Sequence, residues 1–242
     1  MLPENTARKL ENRVAVITGA SRGIGAATAK LFAKEGAHVI LIARTVGGLE
    51  EIDDEIRTKG GKATLAPLDL TDFSKIDEIG STIFQRFGKL DIFVANAGLL
   101  GTIGPINHID PKIWEQTFAV NVTANWRLIR SLDPVLRLSD SGRAIFLTSG
   151  ATKYHRAFWG LYATSKAALE MMISSYAKEI EKTNMTANLF DPGKTRTKMR
   201  AEAYPGEDPK TIKQPEVVAK QLVNLVLPTC KLNGEIIRAD EP

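Results

Sequence analysis

The chain has little of the chemistry that disulfides and metal sites require. Its 242 residues include one cysteine, Cys230, and three histidines, His38, His108 and His155. A single cysteine excludes an internal disulfide and a zinc site built from cysteines, and it is typical of a reducing compartment. The histidines are far apart in the sequence and form no cluster with aspartates. We therefore expect no metal centre and a cytoplasmic protein.

Long apolar runs are also missing. No stretch approaches the roughly 20 apolar residues that span a bilayer. Residues 1–13 have no apolar core of the kind that a secretory signal needs. No repeat, linker or low-complexity stretch divides the chain. The sequence predicts one domain over residues 1–242, with no membrane partner.

The net charge of +4 raises nucleic-acid binding as one class of function. However, basic and acidic residues are interleaved, and the densest basic run is Gly193–Arg200. A slightly basic solvated surface explains this distribution better than a nucleic-acid footprint, so we expect no nucleic-acid partner. A modest basic excess also suits an anionic cofactor.

Short β-branched runs alternate with longer helical patterns. Predicted strands cover residues 13–19, 38–44, 63–69, 90–96, 143–149 and 186–193, with a weaker strand at 234–240. Predicted helices cover residues 24–35, 48–59, 74–87, 111–138, 160–182 and 214–227. Such continuous apolar runs are typical of strands covered on both faces. The alternation predicts an α/β fold, a doubly wound parallel sheet of about seven strands with helices on both faces.

A glycine-rich turn, TGASRGIG, joins the first predicted strand to the first predicted helix at Thr18–Gly25. Gly19, Gly23 and Gly25 let the chain turn tightly and bring its backbone close to a ligand. The N–H groups at the helix start then face an anion. A tight turn without a ligand is the alternative, but a sheet of this kind holds a dinucleotide pyrophosphate at this position.

The second predicted strand ends without the acid that an NAD site uses to hold the ribose 2′-hydroxyl. It ends in LIART, which places Arg44 there. Arg44 and Arg22, from the glycine turn, would instead grip a 2′-phosphate. The alternative is two solvated surface arginines. The sequence predicts that NADP(H) is preferred over NAD(H).

Three further strand ends carry candidate ligand-binding residues, because ligands bind at the carboxyl edge of such sheets. Small residues after the fourth strand would let a flat ring lie against the backbone. The residues at these ends are Asp69 and Leu70, then Asn96, Ala97 and Gly98, and then Pro192, Gly193, Thr195 and Thr197.

Tyr162 and Lys166 are four residues apart in a predicted helix, so they share one face. A free tyrosine has a pKa of about 10, and ionising it near neutrality takes roughly 4 kcal/mol of differential stabilisation. The ammonium of Lys166 and the positive charge of an oxidised nicotinamide could supply much of it. A plain amphipathic helix is the alternative that this pair alone leaves open.

Together these motifs resemble the short-chain dehydrogenase/reductase family, and within it the 3-oxoacyl-carrier-protein reductases. The matching motifs are TGASRGIG, NAG (Asn96–Gly98), VNV (Val120–Val122), TSG (Thr148–Gly150), YATSK (Tyr162–Lys166) and PG (Pro192–Gly193), and they extend over nearly the whole chain. The resemblance implies a single Rossmann domain that transfers hydride between NAD(P) and a carbonyl or alcohol. Ala95 and Thr195 depart from the family pattern, which commonly has asparagine and an aliphatic residue there.

The resemblance also implies roles for individual residues. Tyr162 matches the catalytic acid/base, and Lys166 matches the lysine that binds the nicotinamide ribose and favours the tyrosinate. Ser149 matches the hydroxyl that holds the substrate oxygen, and Asn121 matches the asparagine that shapes its helix and supports a proton-relay water. The phosphate turn is matched by Gly19, Ser21, Arg22, Gly23, Ile24 and Gly25, and the adenine contacts by Asp69 and Leu70. The alternative is a catalytically silent NAD(P)-binding sensor or scaffold, which four intact catalytic matches argue against.

Apolar residues flank the catalytic segments. Tyr154, Phe158, Trp159, Leu99 and Leu100 would line a pocket for a mostly apolar carbonyl or alcohol substrate. Alternatively, Phe158 and Trp159 pack the helix start or a subunit contact.

Two longer segments suggest movement and assembly. Residues 194–213 are charged and contain prolines, so we expect an irregular lid that is mobile until cofactor and substrate bind. The predicted helices 111–138 and 160–182 carry apolar residues on more than one face, which is explained either by deep burial or by the symmetric helix pairing common in the resembled family. We expect a homotetramer, with a dimer as the second choice.

Overall fold

The sheet has the predicted doubly wound parallel form. The structure, a computed structural model, describes residues 8–239, so Asp240 of the predicted seventh strand lies outside the described residues. The strands are β1 (Val14–Thr18), β2 (His38–Ala43), β3 (Lys62–Pro67), β4 (Ile92–Ala95), β5 (Arg143–Leu147), β6 (Thr186–Asp191) and β7 (Ile236–Arg238). They all pair in parallel, in the order β3-β2-β1-β4-β5-β6-β7.

Helices cover both faces of this sheet. They are α1 (Gly23–Lys34), α2 (Val46–Thr58), α3 (Phe73–Phe87), α4 (Pro111–Phe118), α5 (Ala124–Leu136), α6 (Gly160–Glu179), α7 (Lys198–Ala203) and α8 (Pro215–Leu225). Apolar residues of α1, α2 and α8 form one core with the sheet, and those of α3, α5 and α6 form the other. The central strands are covered on both sides, which explains their unbroken apolar sequences.

The strand order reverses between β1 and β4. From β1 the chain builds outward through β2 and β3, and it then returns to add β4 on the other side of β1. Crossovers therefore leave in opposite directions at this point, and a crevice opens at the carboxyl ends of β1 and β4. The glycine turn and Asn96–Gly98 both lie at this crevice.

The predicted helix over residues 111–138 is interrupted. A π-helical turn at Ala119–Thr123 separates α4 from α5, and such turns are rare and frequent at functional sites. The fully buried Asn121 lies within it. Its Oδ1 accepts from the Leu99 N–H at 2.8 Å, and its Nδ2 donates to the Leu99 carbonyl and to Ser165 Oγ, both at 2.9 Å. These bonds satisfy the amide at the centre of the fold and join the turn to α6.

The segment 194–213 is more regular than its composition predicts. It contains α7 and a short 3₁₀ turn at Pro209–Thr211. Thr197 caps α7 by accepting from the Arg200 N–H at 3.1 Å. The Arg200 guanidinium makes two bonds to the Glu207 carboxylate, at 2.5 and 2.6 Å. The charges that suggested an irregular loop are therefore partly paired within the segment.

The helices were compared with the length and hydropathy that a membrane span requires. Among the residues that the structure describes, no helix is both long enough and apolar enough to span a bilayer.

Candidate active site

The glycine turn is shaped by close backbone packing. Gly19 has a φ of 66°, in the left-handed region that favours glycine. A Cβ on Gly25 would lie 2.2 Å from the Gly19 carbonyl oxygen. Asn96 Nδ2 donates to the carbonyls of Thr18 and Gly19, at 2.9 and 3.2 Å. Gly25 and Asn96 thus act by holding the turn in its shape.

The start of α1 is available to an anion. Arg22 precedes the helix in an extended conformation, and its side chain makes no capping bond. The backbone N–H groups of the first turn therefore point into the crevice without a side-chain partner at the cap. This arrangement fits a pyrophosphate.

A cavity of about 1070 Å³ extends from this turn along the carboxyl edge of the sheet. That volume is in the range of cofactor pockets. The sequence-predicted residues that line it are Gly19, Ser21, Arg22, Gly23, Ile24, Arg44, Asp69, Leu70, Asn96, Ala97, Gly98, Tyr162, Lys166, Pro192 and Thr197. The other predicted residues, Gly25, Asn121, Ser149, Gly193 and Thr195, are not in its lining. Size, glycine cradle and basic end together fit an NADP-type dinucleotide.

The loop after β6 explains why two predicted cofactor residues lie back from the cavity. Thr195 is buried, and its hydroxyl donates to the Pro192 carbonyl at 3.0 Å. The Gly193 N–H donates to Asp191 Oδ1 at 3.0 Å. Thr195 therefore packs inward, where the family more often has an aliphatic residue.

An acid reaches the ribose end of the cavity from a strand that the sequence interpretation did not consider for this role. Asp69, after β3, places Oδ2 3.8 Å from Arg44 Nη1. Thr71 donates both its N–H and its hydroxyl to Asp69, at 2.9 and 2.8 Å. The Thr71 N–H, with smaller contributions from the Thr71 hydroxyl and Arg44, lowers the pKa of Asp69 below its ordinary value. A carboxylate thus faces Arg44, although none ends β2.

Tyr162 and Lys166 line the cavity, and Ser149 lies beside Tyr162 just outside the lining. Tyr162 and Lys166 are both buried, with 8% and 4% of their surfaces exposed. The Ser149 side chain is near enough to Tyr162 to lower the pKa of its phenol. Lys166 Nζ lies 5.9 Å from the centroid of the Tyr162 ring, and it donates to the Leu147 carbonyl at 2.7 Å. The fold therefore brings a hydroxyl, a phenol and an ammonium to one point.

Burial, more than charge, controls the ionisation of this group. It raises the pKa of Tyr162 to about 12; the Ser149 side chain lowers this pKa and the charge of Asp191 raises it. Burial also lowers the pKa of Lys166 to about 8, against the opposing charge of Glu170. Without a bound cofactor, desolvation is the largest influence on the pKa of Tyr162. Near pH 7 the Tyr162 phenol is therefore neutral and the Lys166 amine is cationic.

The predicted apolar pocket is only partly present. Leu99 and Leu100 line the cavity, whereas Tyr154 and Phe158 are 51% and 57% exposed and lie outside its lining. Trp159 packs edge-on against Tyr162, with ring centroids 6.1 Å apart. This contact favours the alternative interpretation, in which Trp159 packs the start of α6.

Two residues at this site escaped the sequence interpretation. Tyr204, after α7, lies 5.6 Å from Trp159 between ring centroids, and its hydroxyl accepts from Arg156 at 2.6 Å. Glu170 accepts from Thr148 and Thr152, at 2.6 and 2.9 Å. Glu170 follows Lys166 by one helical turn, and that spacing was a signal in the sequence. Nothing in the sequence marks Tyr204 as a neighbour of Trp159.

Comparison with known proteins agrees with this geometry. The family model described as short chain dehydrogenase matches residues 13–208, and the chain belongs to the short-chain dehydrogenase/reductase family of oxidoreductases. It is 36% identical over 209 residues to YciK, an oxidoreductase of Escherichia coli K12, covering 85% of this chain and 82% of YciK. It is 33% identical over 202 residues to 2,3-dihydro-2,3-dihydroxybenzoate dehydrogenase of Bacillus subtilis 168, covering 84% of this chain and 77% of that enzyme.

A solved structure adds a bound cofactor to the comparison. A short chain dehydrogenase from Escherichia coli CFT073, in complex with NADPH, superposes with a TM-score of 0.93 at 34% identity. The match covers 97% of this chain and 99% of that one. A protein of the same fold and family therefore binds NADPH.

Proposed function

We propose that this protein is an NADP(H)-dependent oxidoreductase that transfers hydride between the nicotinamide cofactor and a small carbonyl or alcohol. One observation carries the proposal. Ser149 acts on the phenol of Tyr162, Tyr162 lies one helical turn from Lys166, and both Tyr162 and Lys166 line a cavity that begins at the glycine turn. An acid, an oxygen-binding hydroxyl and a cation are what carbonyl reduction requires of the protein.

The protein's own groups would divide the work as follows. The cofactor supplies the hydride when it is bound. The Ser149 hydroxyl holds the carbonyl oxygen of the substrate, and the Tyr162 phenol donates its proton to that oxygen as charge develops there. The Lys166 ammonium stabilises the phenolate that remains. Because the pKa of Tyr162 is raised, its proton is in place at neutral pH, which suits reduction.

Asn121 would act by holding this group in position. Its amide fixes Leu99, on the loop after β4, and Ser165, which directly precedes Lys166. The main-chain carbonyl oxygen of Asn121 accepts a hydrogen bond from Asn125 Nδ2 at 2.9 Å. The π-helical turn thereby connects the substrate side of the cavity to α6.

Preference for NADP(H) is supported by the basic groups at the ribose end. Arg22 and Arg44 line the cavity there, and β2 ends without an acid. A 2′-phosphate would compete with Asp69 for Arg44, and its greater charge favours the phosphate. The NADPH-bound relative supports the same choice.

The remaining features are consistent with an apolar substrate and with assembly. Leu99 and Leu100 favour a mostly apolar carbonyl compound, and residues 194–213 border the cavity as a lid. Trp126 on α5 and Met171 on α6 are 46% and 71% exposed, which supports a homotetramer, with a dimer as the second choice. The single cysteine supports a cytoplasmic location.

A cofactor consumption screen tests the proposal. NADPH oxidation would be followed with ketones, acyl thioesters, sugars and quinones, in parallel with Tyr162→Phe as the matched control. We expect consumption with at least one apolar carbonyl compound and none above background for the variant. Tight NADPH binding with no consumption across all classes would contradict the enzymatic proposal and favour a sensor.

A further inference from the structure

Glu170 joins the catalytic helix to the loop that carries Ser149. Its Oε1 accepts from Thr148 Oγ1 at 2.6 Å and lies 2.9 Å from Thr152 Oγ1. Thr152 Oγ1 is also 3.0 Å from the Ser149 carbonyl, so its single proton is shared between these two acceptors. Thr148 is 3% exposed and precedes Ser149 directly. One carboxylate thus restrains both sides of the predicted oxygen-binding serine.

The same carboxylate favours the protonated form of Lys166. Glu170 lies one turn further along α6, and its charge raises the pKa of Lys166 against desolvation. The other contacts of Lys166 are uncharged: the Leu147 carbonyl on β5, and Gly98 after β4, whose Cβ would lie 3.6 Å from Nζ. The charge of Asp191, at the end of β6, raises the pKa of Tyr162. Glu170 is therefore placed to keep the ammonium charged beside a buried phenol.

We propose that Glu170 is a positioning residue of this site, which aligns Ser149 through Thr148 and Thr152 and maintains the positive charge of Lys166. The inference rests on the proposed function, because Ser149 and Lys166 have these roles only in an NADP(H)-dependent enzyme. A role confined to stabilising the fold would leave the pH dependence of cofactor binding unchanged.

The charge component is tested by measuring NADPH affinity against pH, which needs no substrate. Wild-type affinity should weaken above a pKa of about 8, as Lys166 loses its proton. In Glu170→Gln this midpoint should fall by about one unit, since a neighbouring opposite charge shifts a pKa by that order. The variant should bind NADPH about fivefold more weakly than wild type at pH 8 and about equally at pH 6. Glu179→Gln, an exposed glutamate of the same helix, is the matched control and should keep the wild-type curve.

The alignment component is tested by variants that keep the charge. Glu170→Asp shortens the side chain by one methylene, and Thr148→Val removes the stronger hydroxyl contact. Both should lower kcat about tenfold, because a small displacement of a reacting group is costly. Both should leave the pH midpoint of NADPH binding at its wild-type value. If Glu170→Gln does not fold, Glu170→Asp and Thr148→Val still test the alignment role. A wild-type kcat in both variants would overturn that role.

The results separate this inference from the proposed function. If the wild type neither binds nor consumes NADPH, the proposed function itself is wrong. If the wild type binds and turns over but Glu170→Gln keeps the wild-type pH midpoint, the function stands and the charge role of Glu170 is overturned.

Discussion

Arg44 Nη1 lies 3.8 Å from Asp69 Oδ2, so the arginine that would hold a 2′-phosphate already faces a carboxylate. The two side chains are 56% and 44% exposed, and an ion pair this open is worth at most about 1 kcal/mol. A phosphate can displace such a weak partner. Asp69 is therefore a partner of Arg44 that a 2′-phosphate can replace.

This relationship predicts the effect of three substitutions on cofactor choice. Wild-type protein should bind NADPH at least tenfold more tightly than NADH, or about 1.4 kcal/mol. Arg44→Asp should shrink or reverse that ratio, and Asp69→Asn should raise NADPH affinity up to about fivefold by freeing Arg44. Arg86→Asp, an exposed arginine on α3, carries the same charge change and should leave the ratio intact. Equal affinities of the wild type by calorimetry would contradict the prediction.

Removing the Tyr162 hydroxyl should abolish most turnover while the fold remains. Tyr162→Phe keeps the ring that packs against Trp159, and it should lower kcat at least about a hundredfold, the low end for positioned acid–base catalysis. NADPH affinity should change little, whereas Lys166→Ala should lose both affinity and turnover. Tyr176→Phe on the same helix removes a hydroxyl bonded to Asp133 at 2.7 Å, outside the cavity, and should retain turnover. Near-normal activity of Tyr162→Phe on a verified substrate would refute the mechanism.

Buried Lys166 should make stability depend on pH in a defined window. Its pKa falls from 10.5 to about 8 in the folded protein, so the unfolded chain binds more protons between these values. The free energy of unfolding should therefore rise with pH across this window, by roughly 3 kcal/mol from this group alone. Tyr162 affects stability only above pH 10. There the unfolded chain loses the phenol proton before the folded protein does, so the free energy of unfolding falls again.

Comparison with Lys166→Met isolates this contribution in urea unfolding between pH 7.5 and 10. The stability of wild type relative to Lys166→Met should increase across the range. Lys178→Met, whose lysine side chain is 82% exposed, should show no such trend relative to wild type. A flat difference between wild type and Lys166→Met would mean that Lys166 is not desolvated in solution.

The strands and the helix that carries Tyr162 and Lys166 could be predicted because their signals are local. Continuous apolar runs place a strand between two layers of helices, and the glycine turn and the Tyr162–Lys166 spacing lie within single elements. The π-helical turn at Asn121 could not be found in this way, since 119–123 keeps helical periodicity. Asn121 in this turn is bonded to Leu99 and Ser165, which belong to distant parts of the chain.

The electrostatics of the site were predicted less well for a related reason. Spacing places Lys166 beside Tyr162, but only the folded structure shows that both are desolvated. Asp69 reaches Arg44 from a different strand, which no pattern within β2 could indicate. Composition suggested an irregular segment 194–213, yet Arg200 and Glu207 pair within it. Each difference comes from contacts between elements that the sequence does not specify locally.

Exposed apolar residues on α5 and α6 predict assembly. Met171 is 71% exposed and Trp126 is 46% exposed, and large apolar side chains left open to solvent on these two helices favour an interface there. Light scattering at micromolar concentration should give the mass of a tetramer, or else of a dimer. Met171→Glu should lower the assembly state, whereas Leu138→Glu, an exposed residue just beyond α5, should not. A monomeric wild type would refute both assemblies.

Residues 194–213 should close over the cavity when ligands bind. None of the α7 residues is buried, whereas Thr195 and Ile212, near the two ends of the segment, are. Between these ends, Tyr204 packs against Trp159 and has the Arg200 guanidinium 3.7 Å from the centroid of its ring. Segments with so little buried area open readily. We expect fast backbone hydrogen exchange across 194–213 that slows when NADPH and substrate are both present.

Tyr204 supplies the variant that tests this closure. Tyr204→Ala removes the contact with Trp159, so exchange across 194–213 should become faster and KM for the substrate should rise, while NADPH affinity changes less. Tyr154→Ala, which removes a 51% exposed aromatic residue outside the cavity lining, should alter neither quantity. Exchange across 194–213 that stays the same with and without ligands would rule out a lid. Preference for a highly charged or polyhydroxylated substrate would instead rule out the apolar pocket that the lid covers, since Leu99 and Leu100 could not satisfy such groups.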